Sequence, residues 1–292
     1  MHLNQPLRSL LYVPADSPRK IAKARTVSPD AIIFDLEDAV APDHKPEARA
    51  LLLHELDSRP PTATPVCVRI NGPAVGMLSE DLAVAVHPAV SAITLPKCEN
   101  PQEIESIARA ITNLESQKSI ADGKIKLILI LESPLGVFRA QDLSRSTERV
   151  IALSFGAEDY SVNMGLWRTG LPDEFLVPKS LVAMAAHAAR LHAIAGVFTN
   201  LNDEAGLFED TRRARQMGFT AKTLIHPSQI GPVHRAFRPS DAEAQWAREI
   251  VASFESAKEK GTGVLVVNGR MVDEPVLLQA SRILRCLDTS AG

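Results

Sequence analysis

LILILE, residues 127–132, is a run of five aliphatic side chains closed by a carboxylate, with Pro134 two residues further on. A run this apolar fits a strand buried on both faces, as parallel strands are, and Glu132 then stands at the strand's C-terminal end. The same pattern repeats in both directions. Downstream, residues 150–155 run into Gly156-Ala157-Glu158-Asp159. Upstream, residues 92–95 lead to Pro96-Lys97, and residues 66–70 carry Arg69 and Asn71 at their end. Residues 9–13, 31–36, 194–198 and 223–225 complete a set of eight.

Between these runs lie helix signals. Ser17-Pro18 reads as an N-cap followed by proline at the first helical position. Asn100-Pro101-Gln102-Glu103 adds capping-box spacing, and Ile104, Ile107, Ala108 and Ile111 then share one face. Pro46 opens a helix whose buried stripe is Ala48, Leu51, Leu52 and Leu56, and Gly218 after Met217 is placed to end another. Eight strands alternating with helices over about 235 residues predict an α/β fold, a (β/α)8 TIM barrel, with an open doubly wound sheet as the alternative. After residue 238 the alternation stops. Residues 241–260 read as an amphipathic helix, and 264–273 as a hairpin turning at Asn268-Gly269. Pro275 begins a last helix. The expectation is a barrel over 1–238 and a C-terminal helix–hairpin–helix extension over 239–292. That extension is too small to stand alone, so it should pack on the barrel or on a neighbouring subunit.

The chain has 292 residues, 45% hydrophobic and 23% charged, with a formal net charge of −3. That balance gives no general attraction to nucleic acid or anionic membrane. No aliphatic run approaches the ~20 residues of a membrane span, and charges at Arg8, Asp16, Arg19 and Lys20 interrupt any signal-type segment, so a cytoplasmic protein is expected. Cys67, Cys98 and Cys286 show neither zinc-site spacing nor an even number for a disulfide framework, and read as core or interface residues.

Catalytic groups of a barrel lie at the C-terminal ends of its strands. Those ends read Pro14 to Asp16, Asp35 to Asp38, Arg69 to Asn71, Lys97, Glu132, Glu158-Asp159 and His226. So many charges converging on one mouth would repel unless a ligand or mutual pairing absorbed them. Glu132 and Asp159 on adjacent strands, with water completing the shell, are how Mg²⁺ is usually held, and the scarcity of histidine weighs against zinc. Plainer roles are a helix cap before Pro134 for Glu132 and a loop acid for Asp159. Arg69 suits a carboxylate or enolate oxygen, alongside ion pairs to Asp35, Glu37 or Asp38. Lys97 pairs with such acids or, less readily, forms a Schiff base. Asp16, Arg19, Lys20, Lys23 and Arg25, extended by Lys45 and Arg49, form a mixed, mainly basic patch that is either a solvated face or a grip for cofactor phosphates. No GxGxxG or phosphate-loop motif is present.

The ordered series RSLLYVPADSPRK (8–20), DAIIFDLEDAVAPDHKPEAR (30–49), VRIN (68–71), LPK (95–97), ILES (130–133), FGAEDYSVNMG (155–165), GFTAKTLIHPSQI (218–230) and GRMVDEP (269–275) resembles the citrate lyase beta subunit family. That family sits in the aldolase/citrate lyase superfamily, beside the citryl-, citramalyl- and malyl-CoA lyases. The resemblance implies a barrel assembled as a homotrimer or hexamer, Mg²⁺ on Glu132 and Asp159, and Arg69 on the carboxylate and oxygen of a 2-oxo acid. It places Tyr12, Arg19 and Lys23 against the CoA part of a thioester substrate. It also makes Asp273, carried by the C-terminal hairpin into a neighbouring subunit's site, the proton donor. Glu37, as a catalytic group, and Asp38 would position Arg69 or a metal-bound water, with neither assigned as the base. The reaction implied is retro-aldol or retro-Claisen cleavage of a 3-hydroxyacyl-CoA to acetyl-CoA and a 2-oxo acid. A malyl-CoA thioesterase, a metal-dependent aldolase on free keto acids, and a non-catalytic subunit binding a CoA ester or acyl carrier are the alternatives. Ala15 and Ala195 depart from the family's usual glycine and aspartate, which bears on the substrate more than on the reaction class.

Overall fold

In the computed structural model, which describes residues 7–60, 64–167, 169–170, 172–259 and 265–288, the eight runs form one closed parallel barrel. The strands are β1 (Ser9–Pro14), β2 (Ala31–Asp35), β3 (Val66–Arg69), β4 (Val90–Leu95), β5 (Lys126–Leu131), β6 (Val150–Phe155), β7 (His192–Ala195) and β8 (Ala221–Leu224). They pair in that order, and β8 closes on β1 with Leu10 beside Thr223. The open-sheet alternative is thereby excluded.

Helices fill the connections: α1 (Pro18–Ala24), α2 (Lys45–Asp57), α3 (Leu78–Ala85), α4 (Pro101–Gln117), α5 (Pro134–Phe138), α6 (Ala140–Ser144), α7 (Ala157–Met164), α8 (Leu176–Ala188), α9 (Glu204–Gln216) and α10 (Ile230–Phe237). Asn100 caps α4 by accepting from the Gln102 amide, and the expected stripe of Ile104, Ile107, Ala108 and Ile111 is buried. Ser17 precedes α1 as expected but makes no side-chain cap; Pro18 at the first position leaves one fewer amide to satisfy.

Two strand assignments shift. β7 occupies 192–195 rather than 194–198, and β8 begins at Ala221 rather than Thr223. The cause at β8 is Lys222, a charge that breaks the apolar run on paper yet is fully buried. Its ammonium donates to the Gly196 carbonyl at 2.7 Å and to Asp210 at 2.6 Å. At Gly196, just past β7, a Cβ would lie 2.5 Å from the Phe155 carbonyl, so the backbone passes too close to β6 to carry a side chain.

Because strand side chains alternate, the inward positions can be followed up the barrel. Its lower interior is apolar, packed from Leu10, Ala31, Ile33, Cys67, Ala92, Ile128, Ala152, Ile194 and Ala221. Two residues further along the same faces come Tyr12, Asp35, Arg69, Ile130, Ser154 and Thr223. The core therefore turns polar at the level where the strands end.

At the opposite end Asp30 secures the start of β1. It accepts from the Arg8 and Ser9 amides at 2.7 and 3.1 Å and from the Arg8 guanidinium at 3.0 Å, with His234 Nε2 at 3.5 Å. Burial alone would raise its pKa, but hydrogen bonds from His234 and Arg8 outweigh it and hold the carboxyl at about 2. A depressed carboxylate stabilises the fold above its unfolded pKa and loses that contribution as pH falls through about 2. Asp30→Asn is therefore expected to cost about 2 kcal/mol at pH 7, with the deficit closing between about pH 4 and pH 2. Urea unfolding of both proteins across that range checks it.

The described residues divide into two compact units, 7–234 and 235 onward. The second holds α11 (Asp241–Glu259), β9 (Leu265–Val267), β10 (Arg270–Val272) and α12 (Glu274–Asp288). Its own core is Ala247, Ile250, Val272 and Ala280, flanked by Trp246, Phe254 and Ile283. The hairpin turns through Asn268 and Gly269, both with positive φ (49° and 74°), the conformation that Asn-Gly favours in a two-residue turn. No helix among the described residues is long and apolar enough to cross a membrane.

Candidate active site

A cavity of about 910 Å³ opens at the C-terminal ends of the barrel strands. Its floor comes from the polar layer of inward-facing strand residues, Tyr12, Asp35, Arg69, Ser154 and Thr223. One wall carries Glu132 and Asp159, and its rim carries Arg19, Lys20 and Lys23 from α1.

Arg69 and Asp35 are register partners on β3 and β2, which fixes their encounter. Arg69 Nε and Nη2 donate to the two oxygens of Asp35 at 2.8 and 2.6 Å, a paired contact that locks the plane of the guanidinium. The Arg69 Cζ lies over the Tyr12 ring, 4.8 Å from its centroid. Burial keeps the Tyr12 phenol protonated well above its usual range. Arg69 Nη1 approaches Glu37 Oε2 at 2.9 Å and Asp38 at 3.9 Å. The Glu37 contact is an ion pair without hydrogen-bond alignment, and Glu37 Oε2 has no hydrogen-bond partner among the described residues. Asp35 holds the other edge of the guanidinium, and Nη1 makes no aligned hydrogen bond to Glu37 among the described residues. Burial raises the Glu37 pKa, against the opposing charges of Arg69 and Lys97.

Glu132 is buried just past β5. Its Oε1 accepts the Lys97 amide at 2.7 Å. Its other oxygen lies against Gly156, where an added Cβ would stand 2.6 Å away, so glycine there is a condition of this carboxylate's position. Burial, then the charge of Asp159, pushes the Glu132 carboxyl up to about 8. The simpler roles do not hold. Ser133, not Glu132, caps α5 by accepting from the Gly136 amide, and Asp159 sits in the first turn of α7 rather than in a loop.

Lys97, half-exposed, donates through its ammonium to Glu37 Oε1 at 3.0 Å, consistent with pairing to acids rather than with a Schiff base. The extension of the basic patch to Lys45 and Arg49 is corrected. Lys45 is buried and donates to the Leu36 and Glu37 carbonyls at 2.9 and 3.0 Å and to Asn71, while Arg49 pairs with Asp81 at 2.7 Å. Lys45 ties the start of α2 to the segments after β2 and β3, and Arg49 ties α2 to α3; Arg19, Lys20 and Lys23 remain at the rim. Asp273 belongs to the second unit. Its Oδ1 accepts the Val276 amide at 3.3 Å, capping α12.

Among the described residues no cluster of three or more His, Cys, Asp or Glu side chains is arranged to hold a metal. Glu132 and Asp159 offer two hard carboxylate donors whose repulsion a cation would relieve. That suits Mg²⁺, which keeps water or substrate oxygens in its shell, better than zinc.

The sequence pattern of HpcH/HpaI aldolase/citrate lyase matches residues 8–227, almost the whole barrel. The chain belongs to that family. It is 35% identical over 278 residues to the citrate lyase subunit beta of Leuconostoc mesenteroides subsp. cremoris, covering 95% of this chain and 92% of the relative. Mitochondrial citramalyl-CoA lyase of Homo sapiens is 32% identical over 290 residues, covering 96% of this chain and 85% of that one. Among solved structures, the protein CitE of Mycobacterium tuberculosis, crystallised with magnesium, acetoacetate and coenzyme A, superposes with a TM-score of 0.83. The two share 30% identity over 98% of this chain and 100% of that chain.

Of the residues singled out in the sequence, the barrel brings Tyr12, Arg19, Lys23, Arg69, Glu132 and Asp159 to one cavity; Glu37 does not line it but lies 2.9 Å from Arg69 Nη1. Asp35 is one of the acids expected from the sequence to pair with Arg69, and the structure makes it the two-point partner. Sequence reasoning missed Gly156, whose signal was a glycine between a strand end and an acidic helix start.

Proposed function

We propose that this protein is a Mg²⁺-dependent carbon–carbon lyase that cleaves a 3-hydroxyacyl-CoA, of the citramalyl-, citryl- or malyl-CoA class, to acetyl-CoA and a 2-oxo acid. The observation that carries this reading is Arg69 clamped by Asp35 with Nη1 left for a ligand, in the same cavity as Glu132 and Asp159. The names of the relatives and the magnesium and coenzyme A of the solved neighbour support it.

Glu132 and Asp159 would hold the Mg²⁺, which when bound supplies Lewis-acid polarisation of the substrate's oxygens. Arg69 Nη1 binds the oxygen that becomes the ketone and resists its rotation, because Asp35 and the Tyr12 ring fix the guanidinium plane. As the hydroxyl passes its proton to a solvent water, the bond between the two carbon fragments breaks, its electron pair goes to the acyl-CoA fragment, and that fragment departs as its enolate. Asp273 of a neighbouring chain protonates that carbon. Arg19 and Lys23 at the rim hold the CoA phosphates, and Glu37 positions Arg69. We place the protein in the cytoplasm as a homotrimer or hexamer. Support for assembly is the exposure of Phe138, Val162 and Trp167, at 81, 80 and 91%, on α5 and around α7.

Citramalyl-, citryl- and malyl-CoA are to be supplied with Mg²⁺ while pyruvate, oxaloacetate and glyoxylate are followed. One of the three oxo acids should appear in step with acetyl-CoA. Release of free CoA without an oxo acid would make the protein a thioesterase. Turnover of free hydroxy acids, insensitive to charge reversal at Arg19 and Lys23, would make it an aldolase.

A further inference from the structure

Beyond β4 the chain passes through Pro96 into Lys97, whose φ of 56° lies in the left-handed region. The other described non-glycine residues of positive φ are Ser119, Arg190 and Asn268. Ser119 and Arg190 follow the ends of α4 and α8, and Asn268 makes the hairpin turn, places where this conformation ends an element. Lys97 instead lies at the mouth, between a strand and the loop before α4. Glycine would adopt this backbone without steric cost.

Two contacts follow from that conformation. The Lys97 amide donates to Glu132 Oε1 at 2.7 Å, and the next amide, of Cys98, donates to the Ile130 carbonyl at 3.1 Å, so the end of β4 is stitched to the end of β5. The side chain leaves in another direction. Its stem passes over Gly72, 3.8 Å from where a Cβ of that residue would stand, and its ammonium reaches Glu37 Oε1 at 3.0 Å. The far oxygen of Glu37 is 2.9 Å from Arg69 Nη1. One residue therefore touches Glu132 directly and Arg69 through Glu37.

We propose that Lys97 is a positioning residue that sets the metal-binding and oxygen-binding halves of the site in register. It does so by anchoring Glu132 through its amide and restraining Glu37 through its ammonium. The proposal rests on the lyase reading above. Glu37 is buried and draws its compensation from Lys97 and Arg69. With the ammonium in place, Glu37 is drawn toward Lys97 and meets Nη1 only off-angle, which leaves that donor for the substrate. Without it, Glu37 turns its full charge on Arg69, forms an aligned pair, and occupies the donor the substrate needs. The amide contact survives any replacement except proline, so the two roles separate by mutation.

The test uses the full-length protein with Lys97→Met, Lys97→Gly and Lys97→Arg. The readouts are Mg²⁺ binding by calorimetry, pyruvate binding in the presence of Mg²⁺, and turnover. Met and Gly are expected to keep Mg²⁺ affinity within about threefold while pyruvate affinity and kcat fall roughly ten- to a hundredfold, the scale of a small misplacement of a reacting group. Arg, which restores a cation beside Glu37, should recover most of kcat, and Gly should melt no lower than the unsubstituted protein. A Met variant with unchanged pyruvate affinity and kcat overturns the proposal. So does a parallel loss of Mg²⁺ affinity and melting temperature in Met and Gly, which would leave Lys97 a structural residue. Failure of the unsubstituted protein to bind Mg²⁺ and pyruvate would overturn the lyase reading itself, and is told apart because it needs no substitution.

Discussion

Glu132→Gln is expected to lower Mg²⁺-dependent turnover by about a hundredfold or more, since outer-shell changes alone cost metal sites 10–100-fold. The amide matches the carboxylate in shape and can still accept the Lys97 amide, so the loop and Gly156 stay as they are. What disappears is the charge. In the metal-free protein, burial and the neighbouring Asp159 hold the Glu132 carboxyl at about 8, so at pH 7 it carries a proton. Uptake of Mg²⁺ must then expel that proton. Apparent affinity should climb roughly tenfold per pH unit up to about pH 8 and level off above it. Calorimetric titrations in two buffers of different ionisation heat would show near one proton released at pH 7, and none for the glutamine variant. Full activity of the unsubstituted enzyme in excess chelator would remove Glu132 and Asp159 from any metal role.

The contrast between Glu132 and the patch of Lys45 and Arg49 shows what a sequence discloses about such a site. Glu132 was legible because an uninterrupted aliphatic run delivers it to a strand end, and every strand end of a barrel faces one mouth. Arg69 and Asp159 were legible for the same reason. Lys45 and Arg49 were misread because a cation's partner is a matter of tertiary contact. Lys45 finds its acceptors in Leu36, Glu37 and Asn71, the last more than twenty residues away, and no local pattern announces that. Lys222 is the converse, a charge that seemed to mark a boundary and proved to be inside a strand because Asp210 and the Gly196 carbonyl meet it there. The left-handed backbone of Lys97 has no sequence signal at all, since the residues that usually advertise it are glycine and asparagine. Asp273 was legible only through family resemblance. Taken alone it is an acid at the end of a hairpin, and the structure gives it a local duty as a helix cap.

That duty shapes the second large prediction. Asp273→Ala is expected to reduce turnover by on the order of a thousandfold, the upper part of the range for a general acid, while leaving Mg²⁺ and pyruvate binding intact. Alanine also removes the α12 cap, a loss of about 1 kcal/mol that would itself disturb the second unit. Asp273→Asn separates the two effects, because asparagine caps a helix as well as aspartate but donates no proton to carbon. The asparagine variant should melt like the unsubstituted protein and be as inactive as the alanine variant. If it turns over normally, Asp273 is a cap and nothing more. Whether the acid acts within its own chain or on a neighbour is decided by mixing Asp273→Ala with Glu132→Gln under conditions of subunit exchange. If each site takes Glu132 from one chain and Asp273 from another, random pairing in a symmetric oligomer restores roughly a quarter of the sites. If both come from one chain, every subunit in the mixture is defective and no activity returns.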